Sequence, residues 1–383
     1  MKITDVHVYP LRLKLSEKFL IGNTCNYEMC PVIAVVKTNE GITGYGEAMP
    51  AWEVTGETQD SCMAAIKAFC NPSLIGDTLI GKSLNSKDDV LELIEFIDPL
   101  RAPQKIYGNP AAKAALEGAF WDICGKHMEM PVYKILGGEQ KKIIFQHVTG
   151  IFEPEETLDH VRKDLEAGAG VIKLKTGCKK IGRYDNFERD IITVKKVSEL
   201  VQQYRSKAKI VIDANQGYVT RKKAIEICSQ FDHLIEYVEQ PIVAGNKLGL
   251  KEVKKKLNTK IMADEAVHDL FDAELLLNLR AVDFFNLKIM KTGGIFRLIQ
   301  IAERAAESGI PCQIGSMIEN TLGTAQGIHA FFSHKNILTN ELGAIRRFQT
   351  ILGQGLSVLP SELLLDEHNG LGIEINDKDL NNA

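Results

Sequence analysis

VIKLKTG, residues 171–177, sets Lys173 and Lys175 two positions apart in an otherwise apolar run. That spacing puts both side chains on one face of a β-strand. A buried strand face is a costly place for one ammonium and a worse one for two, so the strand must end where their charge is used. Four later segments have the same construction. IVIDANQG (210–217) closes an apolar run with Asp213, IEYVEQP (235–241) with Glu239, KIMADEA (260–266) with Asp264 and Glu265, and FFNLKIMKTGG (284–294) with Lys288.

Extended in both directions, the series of strand ends becomes Thr149, Lys175, Asp213, Glu239, Ala263, Lys288, Gly315 and Glu341, roughly 25 residues apart with one longer interval after Lys175. Helical patterns at 155–167, 190–204 and 298–308 fit the intervals. Eight strand-then-helix units predict an α/β barrel, modified if its first unit is irregular, with all carboxyl ends gathered at one mouth. A doubly wound sheet is the rival, and eight even repeats favour the barrel. Earlier in the chain, ITDVHVYPLRLKL (3–15), PVIAVVKTN (31–39) and ITGYGEA (42–48) predict an antiparallel sheet, followed by helices near 58–70, 87–96 and 110–126. The expected division is an α+β unit over 1–126, a barrel over 127–345, and a tail over 346–383. In that tail GLSVLP and GLGIEI supply short strands that return to the first unit.

The chain of 383 residues is 45% hydrophobic and 25% charged, with a formal net charge of −4. This is the balance of a globular protein, without the basic surface of a nucleic-acid binder. No run approaches the length of a membrane span, and the first residues alternate apolar and charged, which reads as a strand rather than a signal peptide. The eight cysteines form no Cys-x-x-Cys and the nine histidines are dispersed. Reduced thiols in a cytoplasm are expected, and no zinc site.

A single Asp or Glu after a strand is usually a turn or N-cap residue. Asp213, Glu239 and Asp264 lie on three consecutive strands, and such roles do not require them to meet in one pocket. Clustered carboxylates raise one another's pKa unless a cation compensates them. An all-oxygen set suits Mg²⁺, with Mn²⁺ as a substitute. Asn215, Gln240 and Glu265 are placed to orient these ligands or pair with a lysine. A lone strand lysine usually snorkels to solvent. Here Lys175 on the second strand and Lys288 on the sixth face each other across the mouth, with the carboxylates between them. Lys173 is placed to lower the pKa of Lys175 by like-charge repulsion. Two opposed bases and a metal suit abstraction of a proton α to a carboxylate, the cation stabilising the enolate. A lysine base working beside Mg²⁺ on such an enolate is the pattern of the enolase superfamily. TGGI, 292–295, is better read as a tight turn than as a phosphate cradle, since the rest of a nucleotide motif is missing.

The chain resembles the muconate lactonizing enzyme subgroup of the enolase superfamily over nearly its whole length, through GYGEAMPAWEVTGET, VIKLKTG, DANQG, EQP, ADE, NLKIMKTGG, GSMIEN and GLGIEI. The resemblance implies a (β/α)7β barrel under an N-terminal α+β capping domain completed by the C-terminal tail. It gives catalytic roles to Lys173, Lys175 and Lys288 and metal roles to Asp213, Glu239 and Asp264. It also implies that capping loops around 19–26 and 50–55 close over a small carboxylate substrate, which points to Thr24, Trp52 and Glu53 as substrate-binding residues, with Ser316 and Glu319 of the IGSMIE segment and Glu341 of the eighth strand expected beside them. Trp52 has a second reading as a domain-interface anchor. Within the subgroup the VTGET loop and IGSMIE are most similar to N-succinylamino acid racemases and dipeptide epimerases. The eighth strand reads Asn340-Glu341-Leu342-Gly343, without the Asp-x-Asp by which dipeptide epimerases hold a substrate ammonium. The seventh, PCQIGS, lacks the histidine of a mandelate-racemase site. The expectation is a Mg²⁺-dependent racemase or epimerase of an N-acylated amino acid, assembled as a homo-oligomer. The alternatives are a dipeptide epimerase, a muconate-type cycloisomerase, an o-succinylbenzoate synthase-like β-elimination, and a non-catalytic binding protein on the same scaffold.

Overall fold

A computed structural model describes residues 1–21, 24–99, 108–178, 180–181, 184–185 and 187–381. Its largest sheet has eight parallel strands: His147–Thr149, Val171–Lys175, Lys209–Asp213, Tyr237–Glu239, Lys260–Ala263, Phe284–Leu287, Cys312–Ile314 and Ile337–Asn340. Spatial order follows chain order without reversal, so the sheet curls in one direction and the doubly wound alternative is excluded. At the seam the Gln146 N–H donates to the Asn340 carbonyl at 3.0 Å. Among the described residues, helices from Pro154–Glu166 to Thr321–Ser333 fill each of the seven intervals between successive strands, giving the (β/α)7β barrel. Every expected strand end falls on the last residue of a strand or one beyond it.

Alternation within these strands sorts their side chains. Val211, Tyr237 and Met262, with Val171 and Phe284, form a separate apolar cluster inside the sheet. The next inward positions toward the carboxyl ends are Lys173, Asp213, Glu239, Asp264 and Asn286, all fully buried. The apolar cluster lies beneath this polar layer, which therefore stands on the side of the carboxyl ends, toward the mouth.

Over the mouth lies a cap. Strands Ile3–Pro10, Val32–Thr38 and Thr43–Ala48 form its antiparallel sheet. Segment 3–15 is therefore not one strand. Pro10, which has no N–H to extend the ladder, ends the pairing opposite Val32, and Leu13–Ile21 forms a separate hairpin with Thr24–Met29. The tip of that hairpin, residues 22 and 23, lies outside the described residues. In the tail Leu356–Val358 pairs with Glu362–Leu365, which reaches Ile143–Ile144. GLGIEI supplies isolated bridges and no strand, because Gly370 at φ 71° and Gly372 at φ 74° interrupt the extended run.

The helix Pro110–His127 is the slab between sheet and barrel, with Ala111 through Gly125 buried. A helix enclosed on all sides is mostly apolar or small, and its three buried charged residues all have partners: Lys113 with Asp98, Glu117 with Trp121, and Asp122 with Tyr45 N–H and Lys126. A Cβ at Gly46 would come 2.0 Å from the Ala115 carbonyl oxygen, so the sheet side allows no side chain there. On the barrel side two buried carboxylates of the cap meet helix N-termini, where unpaired N–H groups favour negative charge. Glu47 accepts from the N–H groups of Asn320 and Gly323, each at 2.8 Å. Glu117 accepts from Phe296 N–H at 2.7 Å and from the Trp121 indole at 2.9 Å. TGGI is thus a turn whose anion site is filled from within the molecule.

Burial pushes Glu117 up to about 7 and Glu47 up to about 8, with these hydrogen bonds pulling the other way. The folded protein then keeps protons that the unfolded chain releases above its ordinary 4.5, so both groups cost stability as pH rises from about 5 to 8. Glu117→Gln should match the wild type in denaturant melts at pH 5 and exceed it by about 1–3 kcal/mol at pH 8. An equal offset at both values would show that Glu117 titrates normally.

Candidate active site

Three carboxylates organise the mouth. Asp213, Glu239 and Asp264 are fully buried, and each offers an oxygen within 4.8 Å of the other two. Strand register explains the approach, since Asp213 pairs with Glu239 across adjacent parallel strands and Asp264 directly follows the next one. One oxygen of each is held by its own neighbour. Asp213 Oδ1 accepts from Asn215 N–H at 2.9 Å, Glu239 Oε1 from Asn286 Nδ2 at 2.8 Å, and Asp264 Oδ1 from Lys291 Nζ at 2.5 Å. The second oxygens turn inward, toward Lys175 Nζ at 2.5 Å, Lys173 Nζ at 2.8 Å and Lys288 Nζ at 2.6 Å.

This donor set fits a hard divalent cation, one inward oxygen from each ligand. Burial drives Glu239 well above the ordinary carboxylate range against the pull of Lys173, and Asp213 and Glu341 add like charge. Burial also acts to raise Asp213, but Lys175 and Lys173 hold it down to about 2. Asp264 is likewise held low by Lys288 and Lys291 against burial.

Lys175 and Lys288 stand four strands apart in the order of eight, on opposite sides of the carboxylates. Lys175 also donates to Asn215 Oδ1 at 3.0 Å. Burial lowers the Lys288 pKa, yet Asp264, then Glu265, Glu239 and Glu341, raise it above the ordinary lysine value. Lys173 has no solvent exposure and meets three carboxylates: Glu239, Asp213 at 3.2 Å, and Glu341. Its own pKa is well raised by Glu239, Glu341 and Asp213 against burial. The ammonium expected to act on Lys175 is thereby clamped into the carboxylate layer.

The other expected residues divide. Asn215 and Glu265 join the network, Asn215 Nδ2 donating to Glu265 Oε1 at 3.1 Å, while Glu265 Oε2 has no partner among the described residues. Burial, then Asp264 and Asp213, push Glu265 up to about 7. Gln240 lies behind the site, its oxygen accepting from Asp264 and Ala266 N–H at 3.0 Å. Glu341 accepts from Gln313 Nε2 at 2.7 Å as well as from Lys173. Ser316 and Glu319 bond to each other after the seventh strand. On the cap, Thr24 donates to Glu53 at 3.1 Å, tying the hairpin to the loop of Trp52, and the indole is 67% exposed. Asn286 and Lys291 were not anticipated. Asn286 stands on the sixth strand two residues before Lys288, which follows the strand's last residue, the same spacing that coupled Lys173 to Lys175. Lys291 lies on the short helix Ile289–Thr292, where strand alternation no longer applies.

Fold and site together define an acid–base enzyme with lysines flanking a carboxylate cluster at a barrel mouth. Residues 6–137 match the mandelate racemase / muconate lactonizing enzyme N-terminal domain, and residues 156–379 match the enolase C-terminal domain-like family. The chain belongs to this family, within the enolase superfamily, and is an isomerase of the racemase and epimerase kind. It is 31% identical to the N-succinyl-L-Arg/Lys racemase of Bacillus cereus, covering 99% of this chain and 97% of that one. The crystal structure of that racemase superposes with a TM-score of 0.89 over 100% of this chain and 98% of the other. The hydrophobic dipeptide epimerase of Enterococcus faecalis is 33% identical over 97% of this chain and 99% of its own. Its structure with Mg and the dipeptide L-Leu-L-Tyr has a TM-score of 0.86, covering 98% and 100% of the two chains. No helix among the described residues is long and apolar enough to cross a membrane.

Asn286→Ala frees one oxygen of Glu239 and should weaken divalent-cation binding roughly 10- to 100-fold by titration calorimetry. Unaltered affinity would mean that Glu239 does not need that hydrogen bond to present its inward oxygen.

Proposed function

We propose that the protein is a Mg²⁺-dependent racemase or epimerase that inverts the carbon α to a carboxylate through an enolate, acting on an N-acylated amino acid such as an N-succinyl derivative. The opposed pair Lys175 and Lys288 carries this reading, because inversion needs a proton removed from one face and another delivered to the opposite face. Lys175 takes the proton from one enantiomer and the Lys288 ammonium returns one from the other side; for the mirror substrate the roles exchange. Asp213, Glu239 and Asp264 would hold the cation, which supplies positive charge where the enolate develops negative charge and offsets the carboxylates that retain the Lys288 proton. Lys173 offsets the charge of Glu239 and Glu341, and the mouth residues are buried, so water competes little for either base.

The state of Glu341 favours an N-acyl substrate over a free-amino dipeptide. Its Oε1 already accepts from Lys173 and Gln313, and the Asn340 side chain is turned to the Ile144 carbonyl. A substrate ammonium would have to compete with a buried lysine for that carboxylate. Thr24, Trp52, Glu53, Ser316 and Glu319 complete the proposed substrate surface. The reading takes 1–126 as cap, 127–345 as barrel and 346–383 as returning tail, in a cytoplasmic homo-oligomer. The eight cysteines, none in a disulfide, are consistent with that compartment.

The test is incubation with Mg²⁺ and a panel of N-succinylamino acids and dipeptides in D₂O, with α-deuteration read by mass spectrometry and chirality by polarimetry. Wild type should exchange and racemise an N-succinyl substrate, with chelation abolishing both. Lys288→Ala and Lys175→Ala should each retain exchange from one enantiomer, opposite ones, while racemisation falls by about 10²-fold or more. Exchange of dipeptides alone would move the substrate to the epimerase class, and lactonisation of a muconate without any exchange would overturn the racemase reading.

A further inference from the structure

We propose that Glu117 of the cap is a positioning residue for Lys288, so that the cap seats one of the two bases while the barrel seats the other. This rests on the racemase reading above and goes beyond it by assigning the two half-reactions to different parts of the molecule.

Lys288 is the N-cap of the helix Ile289–Thr292, whose end leads through Gly293 and Gly294 into the helix Ile295–Glu307. The turn is knotted to itself: Gly293 and Gly294 N–H donate to Ile289 O at 3.1 and 3.2 Å, and Thr292 Oγ1 donates to Gly294 O at 3.0 Å. A shift at either end is therefore passed along the segment to Lys288. Cap residues grip it repeatedly. Met49 N–H approaches Met290 Sδ at 3.3 Å, Phe296 N–H donates to Glu117, and the Arg297 guanidinium donates to Glu95 Oε1 and to Asp98 O, each at 2.6 Å. The Glu117 contact is the most closely fitted of these. A Cβ on Gly294 would stand 1.6 Å from Glu117 Oε2, so the carboxylate occupies the space that a side chain of the turn would take.

Lys175 is seated otherwise. Its carbonyl accepts from Arg189 Nη1 at 3.2 Å, Thr176 N–H donates to Asp213 O at 2.8 Å, and Gly177 N–H donates to Asp190 Oδ2 at 2.9 Å. Among the described residues these partners all belong to the barrel. Removing the Glu117 carboxylate then loosens the seat of Lys288 and leaves that of Lys175 intact.

Steady-state kcat/KM cannot reveal this, because the equilibrium constant between mirror images is one and kcat/KM in the two directions must fall together. Exchange in D₂O can, because each enantiomer loses its proton to a different lysine. With Lys175→Ala and Lys288→Ala fixing which enantiomer each base serves, Glu117→Ala and Glu117→Asp should lower exchange from the Lys288 enantiomer roughly ten-fold relative to the other, as for a base displaced by a fraction of an ångström. Glu117→Gln should keep the wild-type ratio within about two-fold, because Oε1 alone accepts both hydrogen bonds while Oε2 has no partner among the described residues. Partial unfolding lowers both exchanges by one factor and leaves the ratio unchanged, so stability does not imitate the effect. If Glu117→Ala yields no folded protein, the Asp variant carries the same readout. An unaltered ratio in the Ala and Asp variants, or a Gln variant that behaves like Ala, overturns the positioning role. Wild-type exchange from neither enantiomer overturns the racemase reading and this inference with it.

Discussion

Everything at the mouth depends on burying opposite charges together. Asp213, Glu239 and Asp264 are fully buried alongside Lys173 and Lys291, with Lys175 and Lys288 nearly so. Any one of them alone would cost several kcal/mol or give up its charge. Together they form a lattice in which each inward carboxylate oxygen meets an ammonium and each outward oxygen meets an N–H donor. Removing a member leaves its partner charged and unpaired, so the composition of the layer is constrained far beyond its contacts with substrate. Lys173 shows this most clearly. Its ammonium is committed to three carboxylates, and its first duty is to compensate their charge.

Such a lattice needs rigid walls on every side. Parallel strands supply the spacing, since one residue of each strand reaches the same height, and an apolar cluster lies below the charged layer. The cap supplies the roof by the same chemistry used in the mouth. Glu47 and Glu117 place carboxylates on barrel helix N-termini, where the helix ends would otherwise leave N–H groups unpaired in a dry interface. The apolar core is continuous from cap sheet to barrel, so the two units present one surface to the site.

Much of the barrel was legible because two periods were superposed. Alternation by two within a strand and recurrence near 25 residues between strands located all eight strand ends. Alternation paired Lys173 with Lys175, position at a strand's carboxyl end singled out Asp213, Glu239, Asp264 and Lys288, and alternation applied to the sixth strand would also have found Asn286. The errors lie where local extension competes with something not periodic. Pro10 divided one apparent strand between two sheets, and left-handed glycines turned GLGIEI into a bridge. Beyond any local pattern, Lys173 is also surrounded by three carboxylates from other strand ends, Glu239, Asp213 and Glu341.

By itself the sequence determined which residues share a face and that eight such faces recur, because side-chain direction along a strand is fixed by backbone geometry over a few residues. The family resemblance then followed from ordered motifs. Which oxygen of each carboxylate is held and which is presented, that Glu341 is already engaged, and that the segment following Lys288 is gripped by cap residues at Met290 and Phe296 were decided by tertiary structure alone. These depend on partners as far apart in the chain as Glu117 and Phe296, brought within 2.7 Å. Local geometry sets direction, but pairing of buried charge is settled only when distant strands and helices have closed the space around it.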